Sequence, residues 1–568
     1  MIEDVEFALL ETEESDLSLP DEIKRVKGVE ELEGKQVIIG NSRDLNPVIY
    51  APEVNFYLRH SPDDPQKKAK GVLTLYKLRH LKYSYSTDIP QYQPVQNRLL
   101  IIGSPDRVEE FLKDFNDKEA FEISQIEPDK LTSIKGSIGS LVVTFKDEND
   151  HENRIETDQV IFFNVPENHE RVGVYDPAKL GFEQTYRSIV KNLKEGYEYT
   201  KIIRYDPSIC QYHERKHDVC GFCADFCPVE AILKIDDKRH LEFVEVNCTG
   251  CGGCISICPS GALDYAETSR GVFHMMSKAF RDRIALIIPE EMNIDSLDVR
   301  LKEDVLPFVI GGRKFLDESH FLTILQESGS QVILYNDSVS RGTREAIEMV
   351  NEFYRRAYNE EAILLAEDHQ QLQTAIDNAK KLEGTRFTIA NQMYAKKREI
   401  VANRLSHLVG NRDLGVYKTG EFIHYCKIKI DTNKCTLCLS CAGGCNLEAL
   451  KPNSSDNTLR FTPIICSSCG YCELICPEEC LELIDDTLEL KPEYFTEQVL
   501  AKDELFRCIE CGKPFAPARS IRKIAEMMIP IFGEDDPRVK TLYCCPDCKP
   551  KVMLKHQIEQ EMKGKKGV

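Results

Sequence analysis

The 568-residue chain has no stretch approaching ~18 consecutive apolar residues, the length a helix needs to span a bilayer. Its first residues, MIEDVEFALLETEESD, hold no apolar signal core and no twin-arginine pair, so a reducing cytoplasm is the expected compartment. Positive charge is scarce: 73 Lys and Arg against 94 Asp and Glu leave a formal net charge of −21. Nucleic-acid binding needs a basic face and is disfavoured. An acidic surface suits docking on basic patches of a protein partner, or simple solubility. Signatures of substrate chemistry are missing too. No G-x-G-x-x-G follows a strand pattern, and there is no flavin, nicotinamide or molybdopterin fingerprint and no nucleophile–base constellation. No catalytic site is evident.

What is abundant is cysteine. The 23 cysteines fall in metal-ligand spacings rather than scattering as a disulfide framework would. The stretch 435–476 reads C-T-L-C-L-S-C-A-G-G-C, twenty residues, then C-S-S-C-G-Y-C-E-L-I-C-P. Each half is Cys-x2-Cys-x2-Cys-x3-Cys, the spacing that wraps three thiolates around one face of a [4Fe–4S] cubane and sends the fourth to a second cubane. The spacing predicts one cluster on Cys435, Cys438, Cys441 and Cys476, and another on Cys466, Cys469, Cys472 and Cys445. Pro477 follows the last ligand, whereas Asn446 stands where the motif prefers proline after Cys445. A pair of zinc knuckles does not account for eight ligands in two matching runs.

An earlier block repeats the pattern. Cys220, Cys223, Cys227, Cys248, Cys251, Cys254 and Cys258 each lie 218 positions before a cysteine of the later block, which argues for an internal duplication. The repeat breaks once: His217 occupies the position matching Cys435, and Cys210 stands seven residues earlier. Either Cys210 reaches back across a longer loop, or His217 ligates by its imidazole, or the cluster is an incomplete [3Fe–4S]. A C-x2-H-x3-H-x2-C zinc site (Cys210, His213, His217, Cys220) is formally present but would strip the cluster of a ligand. Near the C-terminus, Cys508 and Cys511 with Cys545 and Cys548 form two Cys-x2-Cys pairs suited to a four-thiolate tetrahedral site. Structural zinc is the first choice there, with rubredoxin-type iron or a fifth cluster as alternatives. Cys544 offers a different register, and Cys426 and Cys480 fall outside the motifs and read as small buried hydrophobes.

The remaining chain reads as α/β. Residues 1–34 are an acidic lead-in expected to be mobile or loosely docked, and 35–199 an α/β domain. There RLLIIG predicts a strand, and Ser104-Pro105 then opens a helix. The glycine-rich KGSIGS (135–140) precedes a strand, the wrong order for a phosphate cradle. Residues 200–275 hold the first cysteine block, and 283–385 alternate strands and helices as a parallel sheet requires. The loop NDSVSRGTR places Arg341 and Arg344 near a helix start that can bind an anion, although solvated arginines are commoner there. A helical connector (386–426), the second block (427–490) and a C-terminal segment (500–568) with a solvated, mobile lysine-rich tail complete the chain.

Residues 205–268 and 427–486 resemble bacterial two-cluster ferredoxin domains. The wider arrangement is similar to a family of large multidomain bacterial ferredoxin-like proteins. In that family a C-x-x-H-x-R loop precedes C-x2-C-x3-C-P, as CQYHERKHDVCGFCADFCP does here. A second ferredoxin module follows an α/β domain, and CIECGKPF with a distal CPDC closes the chain. The resemblance implies α/β plus α+β architecture: two 2[4Fe–4S] ferredoxin modules, Rossmann-like α/β domains and a small zinc-ribbon-like domain with a four-cysteine metal site. It makes Cys210 the expected ligand over His217. It implies a polyferredoxin of anaerobic metabolism that relays single electrons through up to four [4Fe–4S] clusters between a dehydrogenase and an acceptor. Formate dehydrogenase is a candidate partner. The alternatives are an assembly or scaffold factor for such a metalloenzyme, or an iron–sulfur subunit of an oxidoreductase complex. Residues 283–385 are also similar to a small-subunit module that passes electrons between hydrogenase and heterodisulfide reductase, but lack its cysteines.

Overall fold

A computed structural model of the chain describes residues 5–10, 17–27, 37–85, 90–166, 169–484 and 486–564. The chain divides into two compact units: Met1–Pro207, Tyr212–Lys216 and Gly221–Ile400 form one, and Ser208–Gln211, His217–Cys220 and Val401–Val568 the other.

Among the described residues, the first unit contains three parallel sheets. In one, Val5–Leu10 lies between Ile23–Val26 and Val37–Gly40, with Ile49–Tyr50 at the edge. The described part of the acidic stretch 1–34 therefore supplies two strands rather than a loose lead-in. Ala8 of one strand and Val26 of the other, buried with Leu45, give it a core that acidity alone does not reveal. Residues 1–4, 11–16 and 28–36 lie outside the described residues. In the second sheet Arg98–Ile102 pairs with Glu122–Ile126 and Gln159–Phe162, and an antiparallel three-stranded sheet spans residues 131–157. Residues 35–199 thus contribute to two distinct parallel sheets. KGSIGS is the hairpin between Leu131–Ser137 and Ser140–Lys146. The third sheet runs Val305–Ile310, Ile284–Pro289, Val332–Tyr335, Ile363–Ala366. Every residue of Ile284–Pro289 is buried, as an unbroken apolar run flanked by parallel neighbours requires.

The cysteine blocks add short antiparallel pairs. Ile203–Tyr205 pairs with Leu263–Tyr265, and Ile232–Ile235 with His240–Phe243. In the second unit the counterparts are Lys427–Ile430 with Leu481–Ile484, and Leu450–Asn453 with Thr458–Phe461. That unit ends in a hairpin (Leu505–Arg507, Pro514–Pro517) and the helices Ala518–Phe532 and Lys549–Gly564. The lysine-rich tail, expected to be mobile, is helical through Gly564.

Candidate metal centres

In the second unit, one cavity is lined by Cys435, Cys438, Cys441 and Cys476, together with Cys480. A second is lined by Cys445, Cys466, Cys469 and Cys472. In each, three thiols come from one run and the fourth from the other. Apolar side chains complete the walls: Ile430, Leu437, Leu459 and Leu481 in the first, Ile428, Leu450, Phe461 and Leu483 in the second. Burial pushes the Cys441 thiol up to about 12, and Cys472 is raised by burial and by the sulfurs of Cys466 and Cys469. Thiols so placed ionise only against a cation, which is the condition a metal cluster meets.

The loops carry their own adaptation. Leu437, Leu439, Ser468 and Gly470 have positive φ, as do Gly250 and Gly252 in the earlier block. Left-handed residues alternating with right-handed ones turn successive N–H groups toward one point, a concavity that suits anionic sulfur. The N–H groups of Leu437 and Ser468 point at Cys435 and Cys466 Sγ, at 3.5 and 3.4 Å. Three residues beyond the last cysteine of each run, Glu230, Gly261, Glu448 and Glu479 again have positive φ. All four runs therefore end in the same turn.

In the earlier block, Cys248 is pushed up to about 11 by burial, with the sulfurs of Cys251 and Cys227 close by. Half-buried Cys254 is likewise raised, by burial of its thiol and by Cys251, Cys248, Cys227 and Cys258 around it. Strand register addresses the break at His217. Ile203 pairs with Tyr265 as Ile428 pairs with Leu483, and Asp206 N–H donates to Ala262 O at 2.8 Å as Asp431 N–H donates to Cys480 O at 2.8 Å. Counted from those strands, Cys210 stands five residues past Tyr205 just as Cys435 stands five past Ile430. The extra seven residues of the first block fall after Cys210. Cys210 is buried, and its carbonyl accepts from Asn446 Nδ2 at 2.7 Å, which gives the residue replacing proline a task. His217 is exposed beside the Tyr471 ring, 6.3 Å between centroids. His213 Nδ1 faces His240 Nδ1 at 3.3 Å.

The 250–258 loop sits at the carboxyl edge of the third sheet, where open parallel sheets ordinarily bind ligands. Lys314 N–H donates to Cys251 O (2.8 Å), Tyr265 Oη to Gly250 O (3.1 Å), and Ser256 and Ser340 share a hydroxyl contact of 2.9 Å. Ser340 caps the Arg341–Tyr358 helix through Thr343 N–H, and Gly342 approaches Ser256 so closely that a Cβ would meet its carbonyl at 2.9 Å. The helix start considered for anion binding is packed against protein, and Arg344 pairs with Glu367 at 2.6 Å. Behind this loop lies an ion network that no sequence pattern announced. Lys397 Nζ donates to Cys258 O (3.0 Å) and Arg398 Nε to Pro259 O (2.7 Å). Lys397 also meets Asp317 (3.3 Å) and Glu318 (3.1 Å), while Arg270 bridges Asp317 (2.5 Å) and Leu263 O (3.0 Å). Burial would raise the Asp317 carboxyl, but Arg270, Lys397 and His320 hold it well below its ordinary range.

At the C-terminus, ligand atoms of Cys508, Cys511, Cys545 and Cys548 all lie within 4.8 Å of one another. Among the described residues no other such close group of three or more His, Cys, Asp or Glu occurs. Cys511 and Cys545 Sγ are 3.7 Å apart. Burial opposes ionisation of Cys508, yet the backbone N–H groups of Cys545, Cys511 and Glu510 bring it down to about 6, while Cys548 is pushed up to about 12. Cys544 stands outside this set of four: it donates to Lys540 O at 3.6 Å and also makes a side-chain contact with Cys508. Cys426 and Cys480 are buried, as small hydrophobes would be, but each touches a motif cysteine: Cys426 Sγ is 3.4 Å from Cys466 Sγ, and Cys480 Sγ is 3.5 Å from Cys476 Sγ.

Residues 218–262 match the family model of the 4Fe-4S dicluster domain. No curated protein matches the chain. Among the described residues no helix is long and apolar enough to cross a membrane.

Proposed function

We propose, from the 4Fe-4S dicluster domain at residues 218–262, that the whole chain is an iron–sulfur electron carrier holding up to four [4Fe–4S] clusters. The observation that carries this beyond the matched segment is the pair of thiol-lined cavities in the second unit, each with three cysteines from one run and one from the other. Cys435, Cys438, Cys441 and Cys476 would hold one cluster, and Cys445, Cys466, Cys469 and Cys472 another. Cys227, Cys248, Cys251 and Cys254 would hold a third, and the remaining cysteines of the earlier block a fourth, with Cys210 rather than His217 supported by the strand register. A bound [4Fe–4S] cluster supplies a one-electron couple.

The chain's own groups bind and orient. The left-handed turns aim N–H groups at the ligand sulfurs, and the apolar walls keep water away. Both set the potential of such a couple. Cys438 is exposed, so its loop is the edge from which an electron exchanges with a partner. A dehydrogenase as electron donor, formate dehydrogenase among them, rests on the family resemblance alone. For the C-terminal set, a four-thiolate zinc with Zn–S near 2.3 Å requires sulfurs ~3.8 Å apart. The 3.7 Å contact supports a mononuclear metal there, since a cubane would force the thiolates wider.

The test is metal analysis of the full chain purified anaerobically. About sixteen iron, sixteen sulfide and one zinc per chain are expected. Zinc with negligible iron and sulfide after reconstitution would refute an electron carrier and leave a structural scaffold.

A further inference from the structure

Each four-cysteine set of the second unit has a fifth cysteine in contact with one of its sulfurs, beyond the four that the motif accounts for. Cys480 Sγ lies 3.5 Å from Cys476 Sγ, lines the same cavity, and also makes a side-chain hydrogen-bond contact with Cys435. Cys426 Sγ lies 3.4 Å from Cys466 Sγ and is fully buried. Neither is loosely placed. The carbonyl of Cys426 accepts from the buried Tyr494 hydroxyl at 3.0 Å, and that of Cys480 from Asp431 N–H at 2.8 Å. The earlier block has no such thiols: the strand register puts Lys201 opposite Cys426, and Ala262 opposite Cys480.

With the motif cysteines bound to a cluster, their sulfurs carry no proton, so across the 3.5 and 3.4 Å contacts the fifth cysteine is the one with an S–H to donate. It then donates S–H to the ligand sulfur. A hydrogen bond to a ligand sulfur stabilises the added negative charge of the reduced form. We propose that Cys480 and Cys426 are positioning residues, donating S–H to Cys476 and Cys466 respectively, and that each raises the reduction potential of the one cluster whose ligand it touches. This rests on the cluster assignment proposed above.

The test is an EPR-monitored redox titration of the full-length, cluster-loaded protein and of Cys480→Ala, Cys426→Ala, Cys480→Ser and Cys426→Ser, with iron and sulfide counted for each. Each alanine variant is expected to keep its iron and to lower one couple only. The expected shift is on the order of a tenfold change in the reduced-to-oxidised ratio at fixed potential, about 59 mV for one electron. The serine variants, which retain a donor, recover most of that shift. Alanine variants with full iron and unmoved couples would overturn the proposal. So would loss of about four irons per alanine variant, which would make the fifth cysteine a ligand. A wild-type chain without iron and sulfide would instead overturn the cluster assignment on which the proposal stands.

Discussion

Asp317 concentrates three demands in one carboxylate. It caps the Glu318–Ser328 helix by accepting from Ser319 and His320 N–H, closes a capping box with His320, and neutralises Arg270 and Lys397. Asp317→Asn keeps the shape and removes the charge, leaving buried Lys397 to Glu318 and buried Arg270 to the more exposed Asp264. A loss of roughly 3–5 kcal/mol is expected, measured as the shift in chemical denaturation of the cluster-loaded chain. Glu290 makes a pH-dependent contribution of the same kind. Burial would raise its carboxyl, but Arg79 and Lys82, each at 2.5 Å, hold it down to about 2 from an ordinary 4.5. A depressed carboxyl stabilises fully above its unfolded pKa and loses that contribution as pH falls through the folded value. The difference in thermal midpoint between wild type and Glu290→Gln should therefore be constant near neutrality and shrink as pH falls from about 4.5 toward about 2. Neither residue stood out in the sequence, because their partners lie tens to hundreds of positions away. The fifth thiols left a faint signal: Cys480 follows Cys476 by four residues, and neither Cys480 nor Cys426 has a counterpart cysteine in the earlier block.

Among elements, the 250–258 loop depends on how closely the strand-to-helix connection of the third sheet can approach it. Gly252 has φ +77°, and a Cβ there would meet the Phe315 Cβ at 2.4 Å and its Cα at 3.1 Å. Gly252→Ala combines left-handed strain with overpacking. It should cost about 2–4 kcal/mol and lower the temperature at which visible cluster absorbance is lost. The C-terminal segment poses the opposite problem. Among the described residues, its buried cluster consists of Cys508, Cys544, Cys545 and Cys548, with Phe515 and Val552 packed against it. So small an apolar core relies on a metal to stay folded. A zinc chelator at neutral pH is expected to open residues 505–564 to proteolysis while leaving the cluster spectrum unchanged. Acid should weaken metal retention there, because the raised Cys548 thiol must release its proton to bind.

Over the whole molecule, the α/β segment 283–385 carries no cysteine, and its function was open from sequence. Within the first unit its carboxyl edge holds the 250–258 loop through Lys314 and Ser340, while Lys397 and Arg398 reach the carbonyls of Cys258 and Pro259. The crevice in which such a sheet would bind a nucleotide is occupied by the cysteine loop. Titration of the full chain with ATP, NADH or FMN should accordingly show no saturable binding at this sheet, checked by calorimetry on the cluster-loaded protein.

Sequence by itself determined the cysteine spacing from which the ligand sets are proposed. Thiolate spacing is a local constraint, and the two Cys-x2-Cys-x2-Cys-x3-Cys runs, the duplicated block and the paired Cys-x2-Cys motifs are legible because a few consecutive residues must wrap one metal group. The alternating strands and helices of residues 283–385 were legible for the same reason, since periodicity is local. Tertiary structure alone decided the rest. It paired Ile203 with Tyr265 and so placed Cys210 in register with Cys435, it packed the Arg341 helix start onto Ser256, and it brought Cys426 to Cys466 across forty positions. These are contacts between residues far apart in the chain, set by which apolar faces must be buried together, and no short stretch of sequence encodes that choice.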